Sequence, residues 1–205
     1  MEKIKKLKKL FQREKIDGYI VPKNDEFFGE YITDHNDRLK YISNFSGSFG
    51  FALILKKKNY LFVDGRYTLQ ANNQSSKFYK IVTIPKEMPS KILKNQRLLI
   101  GFDPKLFTKK ILTIFFSKNN CKFKALKNNL IDDIWKRAKK NSKGAFYKLP
   151  ESSVGKSYQL KINKIVSNLR KKKANFQFIT ASENNAWLFN IRGSDTKYAP
   201  IPNSH

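Results

Sequence analysis

The sequence predicts an α/β protein with a mixed sheet flanked by helices, followed by the beginning of a second, similar domain. Two apolar runs, 51–55 and 60–63, are separated by the polar turn 56–59, the pattern of an antiparallel hairpin. Further apolar runs of strand length alternate with amphipathic stretches of helical period, which implies a layered α/β structure. Because the hairpin requires at least one antiparallel pair, the sheet must be mixed. Finally, the pattern of the opening residues returns after residue 157.

In order along the chain, residues 1–15 place Ile4, Leu7, Leu10 and Phe11 on one stripe of a lysine-coated helix, expected to pack on a sheet. Strand 18–21 follows. Residues 22–37 are polar with acidic and aromatic insertions and too long for a simple turn, so a functional loop is expected there. Around the hairpin, Gly47 and Gly50 bracket Ser48 and Phe49 and suit a tight turn needing close backbone approach or positive φ. Asp64 and Gly65 end the second hairpin strand, leaving Arg66, Tyr67 and Thr68 at a strand-to-helix corner, rigidly held yet able to face out. Strands are predicted over 79–84, 98–102 and 121–126, and helices over 109–116 and 129–137.

The first domain is therefore assigned to 1–137. Residues 138–156, rich in Lys, Ser, Gly and Pro and without periodicity, read as a linker. Residues 157–205 read as an incomplete second copy: helix 157–173, strand 175–180, then Trp187-Leu188-Phe189-Asn190-Ile191-Arg192-Gly193-Ser194. That octet matches Tyr41-Ile42-Ser43-Asn44-Phe45-Ser46-Gly47-Ser48 in register. A chain of this pattern is expected to be a fragment of a longer protein.

Composition narrows the function classes. A hydrophobic share of 40% excludes a disordered polyelectrolyte, and no apolar run approaches the ~20 residues that span a bilayer. Charges thread the first apolar stretch, unlike a secretory leader, and Cys121 is the only cysteine, so a cytoplasmic location is expected. The net charge of +26 raises the question of nucleic acid. Of the 42 basic residues, however, 35 are lysine and seven arginine, scattered along the chain, whereas base-edge and bidentate phosphate recognition favours arginine.

Other motifs carry no chemistry. Gly155-Lys156-Ser157 looks like the end of a phosphate loop, but that motif needs glycine at position 150, which is Pro150. His35 and His205 are the only histidines, too few for a metal site or a histidine-dependent triad, and no catalytic or metal-ligating constellation is found in 1–205.

A family resemblance is carried by Asp25, Glu30-Tyr31-Ile32, Asp37-Arg38, the turn 44–50, and Val63-Asp64-Gly65-Arg66-Tyr67-Thr68-Leu69-Gln70-Ala71. It resumes at Asn129-Leu130-Ile131-Asp132-Asp133-Ile134-Trp135 and at Ala186 to Asp195. These residues resemble the N-terminal domain of the Xaa-Pro aminopeptidases, in the creatinase/prolidase superfamily, plus the start of the second domain. The resemblance implies a peptidase that removes an N-terminal residue preceding proline, acting through two divalent metals, typically manganese, in a C-terminal catalytic domain outside these residues. It also implies proline-containing peptides as substrates, a homodimer, and a cleft-shaping role for this part of the chain. By the same resemblance Glu30 helps recognise the substrate's free amino terminus and Arg66 faces the cleft. The residue-level alternatives are a solvated loop carboxylate or an Arg38 partner for Glu30, and a hairpin cap through Asp64 or Asp25 for Arg66. Phe27 and Gly29 stand where the family often has histidine and serine. The reading from a different class is a catalytically inert α/β binding or assembly module with nonspecific polyanion affinity.

Dispersed lysines neutralise phosphates without reading bases, so polyanion binding is expected to be weak, with the same salt slope for unrelated DNA duplexes. Anisotropy titrations at several salt concentrations check this; strong preference for one duplex at physiological salt would contradict it.

Overall fold

The computed structural model describes residues 1–137, 144–195 and 198–205. The chain divides into two compact units, Met1–Glu26 with His35–Ala138, and Phe27–Asp34 with Lys139–His205.

In the first unit, α1 (Glu2–Glu14) buries Ile4, Leu7 and Phe11, the stripe expected from the sequence, and stops at Lys15, which takes the left-handed conformation (φ 53°). Strand β1 (Gly18–Pro22) follows, then α2 (Arg38–Ser43). The sequence pattern assigns no element to 38–43. Its helix is only six residues long, specified by its ends: Asp37 accepts the Lys40 N–H, and Asn44 closes it with φ 65°. The hairpin is present as β2 (Phe51–Leu55) and β3 (Asn59–Asp64). Then come α3 (Thr68–Ser75), β4 (Lys80–Ile84), α4 (Pro89–Leu93), β5 (Leu99–Phe102), α5 (Lys109–Phe116), β6 (Lys122–Ala125) and α6 (Leu130–Ile134). The reading missed α4, another short helix, marked only by Pro89 at its first turn.

The six strands make one mixed sheet in the order β4-β3-β2-β1-β5-β6. Strands β1, β2 and β3 pair antiparallel, while β3–β4, β1–β5 and β5–β6 are parallel. Alternation along the central strands sends side chains into two cores. Tyr19, Val21, Ala52, Ile54, Leu61 and Val63 meet α1, α2 and α6 on one face. Ile20, Leu53, Phe51, Phe62, Ile100 and Phe116 form the core of the other. Burial on both faces is why β1 and β2 read as unbroken apolar runs rather than alternating ones. Asp17 fixes one end of the array: its carboxylate accepts the Leu99 N–H (3.0 Å) and the Lys56 ammonium (2.6 Å). Those two bonds, the Leu99 N–H first, hold its pKa below the usual carboxylate value.

In the second unit, β7 (Phe146–Lys148), α7 (Tyr158–Lys171), α8 (Ser182–Phe189) and β8 (Ile191–Gly193) form, with β7 and β8 paired antiparallel. Of the stretch read as a linker, residues 138–143 lie outside the described residues; Phe146–Lys148 within it is a strand. The strand expected over 175–180 does not form. That segment has no ladder partner among the described residues, and apolar composition alone does not make a strand. Helix α8 ends at Asn190 with φ 54°, the same stop that Asn44 gives α2, so the sequence match of the two octets corresponds to a shared helix cap. The buried Lys161, which the sequence reading did not single out, donates to the Trp187 carbonyl (2.6 Å) and to Asn190 Oδ1, closing the end of α8. Burial, and then the neighbouring Arg192, lower its pKa. Among the described residues no helix is long and apolar enough to cross a membrane.

A Cβ on Gly50 would lie 2.7 Å from the Phe62 carbonyl oxygen, a backbone atom of the paired strand. Gly50→Ala is expected to destabilise the first unit by ~1–3 kcal/mol through overpacking, read as a lower urea midpoint at unchanged slope.

Candidate functional site

The loop that the sequence marks as functional is closed at its neck by polar pairs within the first unit. Lys23 Nζ meets Asp37 Oδ2 at 2.5 Å, Asn36 donates to the buried Asp25 at 3.0 Å, and Arg38 Nη2 meets Glu26 Oε1 at 2.7 Å. Arg38 is the centre of this clasp, at 4% exposure. Its Nε and Nη2 also donate to the two oxygens of Asp132 on α6, at 2.8 and 2.9 Å, a bidentate fork. Arg137 donates to the same carboxylate. Burial alone would lower the Arg38 pKa; the bonds to Asp132 and Glu26 outweigh it and hold the guanidinium above its ordinary value. Arg38 sits there because Asp37 caps α2 and makes Arg38 its first residue.

Arg38 thus pairs with Glu26 and Asp132; neither carboxylate was picked out from sequence as its partner. The available signal was the density of acidic residues at 25–37 and 132–133, which gives no pairing by itself.

The chain leaves the first unit at Glu26 and re-enters it at His35. Residues 27–34 belong to the second unit, where Phe27 stacks on His205 (centroids 4.9 Å) and Tyr31 meets Tyr198 (5.9 Å). Glu30 lies on this segment and is exposed, a carboxylate open to a cation.

Arg66 occupies the strand-to-helix corner of the first unit. Asp64 accepts the Arg66 backbone N–H (2.9 Å) and meets its guanidinium at 2.7 Å, and the Tyr67 ring lies 5.2 Å from the guanidinium carbon. The Arg66 side chain is 73% exposed, so this pair orients the group more than it stabilises the fold. The Arg66 side-chain bond is the largest cause of the lowered Asp64 pKa. Next to it Tyr67 Oη and Ser48 Oγ are 2.7 Å apart, tying the corner to the glycine turn. Glu30 and Arg66 belong to different units, and neither unit by itself brings them together. Among the described residues no three His, Cys, Asp or Glu side chains gather as a metal centre.

A family model described as the Creatinase/Prolidase N-terminal domain matches residues 3–134, and a second model of the same description matches 136–205. The chain belongs to the creatinase/prolidase N-terminal domain family. Within this family the chain is 33% identical over 211 residues to a probable Xaa-Pro aminopeptidase P of Laccaria bicolor, covering 98% of this chain and 33% of that protein. It is 34% identical over 214 residues to the corresponding Penicillium rubens protein, covering 98% and 34%. The chain thus spans about a third of the length of the curated relatives it matches. Among solved structures, the X-prolyl aminopeptidase of Caenorhabditis elegans, described as a cytosolic enzyme with a di-nuclear active site, matches with a TM-score of 0.87 at 28% identity, over 98% of this chain and 36% of that one. The N-terminal domain of the cytoplasmic peptidase PepQ from Mycobacterium tuberculosis shares the fold over 65% of this chain and 98% of its own, at TM-score 0.51 and 18% identity.

In this family member, removing the clasp cation leaves two carboxylates facing each other without it. Arg38→Met is expected to cost ~2–3 kcal/mol, below the ~3–5 kcal/mol of a fully buried pair because Glu26 and Asp132 are one-third exposed. Urea unfolding of the variant checks this, with Arg66→Ala as the comparison, expected to shift stability by less than ~1 kcal/mol.

Proposed function

We propose that this chain is the N-terminal, non-catalytic part of a metal-dependent Xaa-Pro aminopeptidase, an enzyme that removes the N-terminal residue preceding proline. The observation that carries this reading is the correspondence of 98% of the chain to the C. elegans X-prolyl aminopeptidase at TM-score 0.87. The proposed layout is a first domain at 1–137, a connection at 138–156 and the opening of a second, similar domain at 157–205. In the parent enzyme these domains shape the substrate cleft and support a homodimer, working in the cytoplasm.

The Glu30 carboxylate receives the substrate's terminal ammonium, which selects peptides with a free amino end. The Arg66 guanidinium, held by Asp64 at 2.7 Å, presents a positive edge to peptide carbonyls. Two divalent metal ions, expected to be manganese, in the remainder of the parent supply activated water and polarise the scissile carbonyl. The 205 residues alone are inactive, because the groups that hold those ions lie elsewhere.

Purified chain with added manganese should release no amino acid from Xaa-Pro peptides above buffer; turnover would overturn the reading. In the parent enzyme, Glu30→Gln should lower kcat/KM about tenfold for peptides with a free amino end and leave N-acetylated analogues as poor as before, since one charge-assisted bond is worth ~1.5–3 kcal/mol. Equal kcat/KM for variant and parent would remove Glu30 from substrate recognition.

A further inference from the structure

The hairpin turn of the first unit gathers more positive charge than its surroundings balance. Lys56, Lys57 and Lys58 follow one another between β2 and β3, and Lys8 of α1 donates to the Lys56 carbonyl at 3.1 Å. Among the described residues the carboxylate that pairs with this group is Asp17. Its Oδ1 takes the Lys56 ammonium at 2.6 Å, and its Oδ2 is spent on the Leu99 N–H at 3.0 Å. Lys57 and Lys58 are exposed and make no ion pair among the described residues. Like charges crowded on one tight turn repel each other, and an anion beside them relieves that repulsion.

Beside the turn lies a pocket of about 410 Å³, toward the small end of the ~300–1,000 Å³ typical of small-molecule sites. The buried Leu55 at the end of β2 and Tyr60 on β3 give it an apolar floor, which Leu98, just before β5, extends. The three exposed lysines stand at its rim with Asp17, and Gln96 also lines it.

Both walls are held in place by hydrogen bonds of the chain itself. On the turn side Leu55 N donates to Lys58 O at 2.8 Å and Lys56 N to Asp17 O at 3.2 Å. On the other side Gln96 N donates to Leu93 O at 2.9 Å and Gln96 Nε2 to Ile92 O at 3.0 Å. Cys121 Sγ donates to the Gln96 carbonyl at 3.3 Å and fixes that loop against the start of β6. A pocket shaped in advance gives up less freedom when it is filled.

We propose that this pocket binds a small amphipathic carboxylate of about ten non-hydrogen atoms, its head against Lys57 and Lys58 and its apolar body over Leu55, Tyr60 and Leu98. A bare inorganic anion would use the lysines and leave the apolar floor in water, and an uncharged chain would do the reverse. A ligand carrying both halves answers both. Its orientation follows from charge. Burial first, and then the charge of Glu87, raise the Tyr60 pKa, so a carboxylate already stands near the Tyr60 hydroxyl. The anionic head is therefore directed to the lysine turn, and the apolar body to the ring. The site lies wholly within the first unit and does not depend on the aminopeptidase reading.

The probe is octanoate, titrated into the isotope-labelled full chain and followed by amide chemical shifts, with butanoate, octylammonium and inorganic phosphate as comparisons. Saturable shifts are expected at residues 55–60 and 96–98, with a dissociation constant on the order of 1 mM for a ligand of this size. Each methylene added between butanoate and octanoate should tighten binding about threefold as the chain covers more of the floor. The double variant Lys57→Gln, Lys58→Gln is expected to weaken octanoate by about tenfold or more. The same change of charge at Lys109→Gln, Lys110→Gln, on α5 after the opposite end of β5, should alter it by less than about twofold. All four lysines are exposed, and the β1 amides of each variant report that the first unit is folded.

Absence of saturable shifts at 55–60 and 96–98, no gain with chain length, or equal losses in the two double variants would overturn the site. Octylammonium or phosphate saturating the same amides as tightly as octanoate would overturn the ligand class. Unsaturable shifts spread over lysines throughout the chain would reduce the effect to general charge attraction and overturn the proposal too. The chain-length and head-group comparisons need no variant. None of these readouts uses peptidase activity, so failure of the aminopeptidase reading and failure of this one are told apart.

Discussion

Strand β1 is buried on both faces and paired on both edges, and this burial sets the layout of the first unit. Five residues, Gly18–Pro22, take an antiparallel partner in β2 and a parallel one in β5, and send Tyr19 and Val21 into one core and Ile20 into the other. The backbone groups of such a buried strand have to be paired within the protein, because burial removes water as a partner. That constraint fixes the register of the hairpin, and a slip by one residue would exchange the contents of the two cores. Asp17 holds the start of the strand to Lys56 and to the Leu99 N–H, while Lys23 and Asp37 hold its far end beside the loop neck. The loop at 22–37 is therefore closed by a charged pair beside the end of a fully buried strand.

The second unit shows the same passage with the cover removed. Ile162, Ile165 and Leu169 repeat the α1 stripe, and Lys173 and Asn190 repeat the left-handed stops, yet 176–180 stays outside any ladder. Local signals such as caps and stripes act within a few residues and so survive in both copies. Strand formation needs a partner, and partners come from far along the chain.

The same distinction explains what could be read from the sequence. The stripe of α1, the hairpin, and the runs that became β4, β5 and β6 were legible because each follows a short-range period. Helix α2 was not, since six residues carry too little periodicity and its limits come from Asp37 and Asn44. The expected strand at 175–180 had the right composition, but composition does not show that no strand among the described residues pairs with it. At the site, Arg66 and Asp64 are two residues apart, and the sequence offers their pairing directly. The clasp joins Arg38 to Glu26 and to Asp132, and the second of these lies 94 residues away. A sequence separation of that size leaves no local trace, and the choice among neighbouring acids is made by the direction in which α2 starts.

Covering both faces of one strand makes the first unit stable by itself, and the second unit, whose residues 176–180 join no ladder among the described residues, is the weaker of the two. Each unit carries one tryptophan, Trp135 stacked on Tyr41 at 4.6 Å in the first and Trp187 beside Lys161 in the second. Urea unfolding of the full chain, followed by fluorescence in Trp187→Phe and Trp135→Phe variants, reads them separately. The Trp187 signal should be lost at clearly lower urea than the Trp135 signal. Coincident transitions with equal slopes would show a single cooperative body and contradict the account.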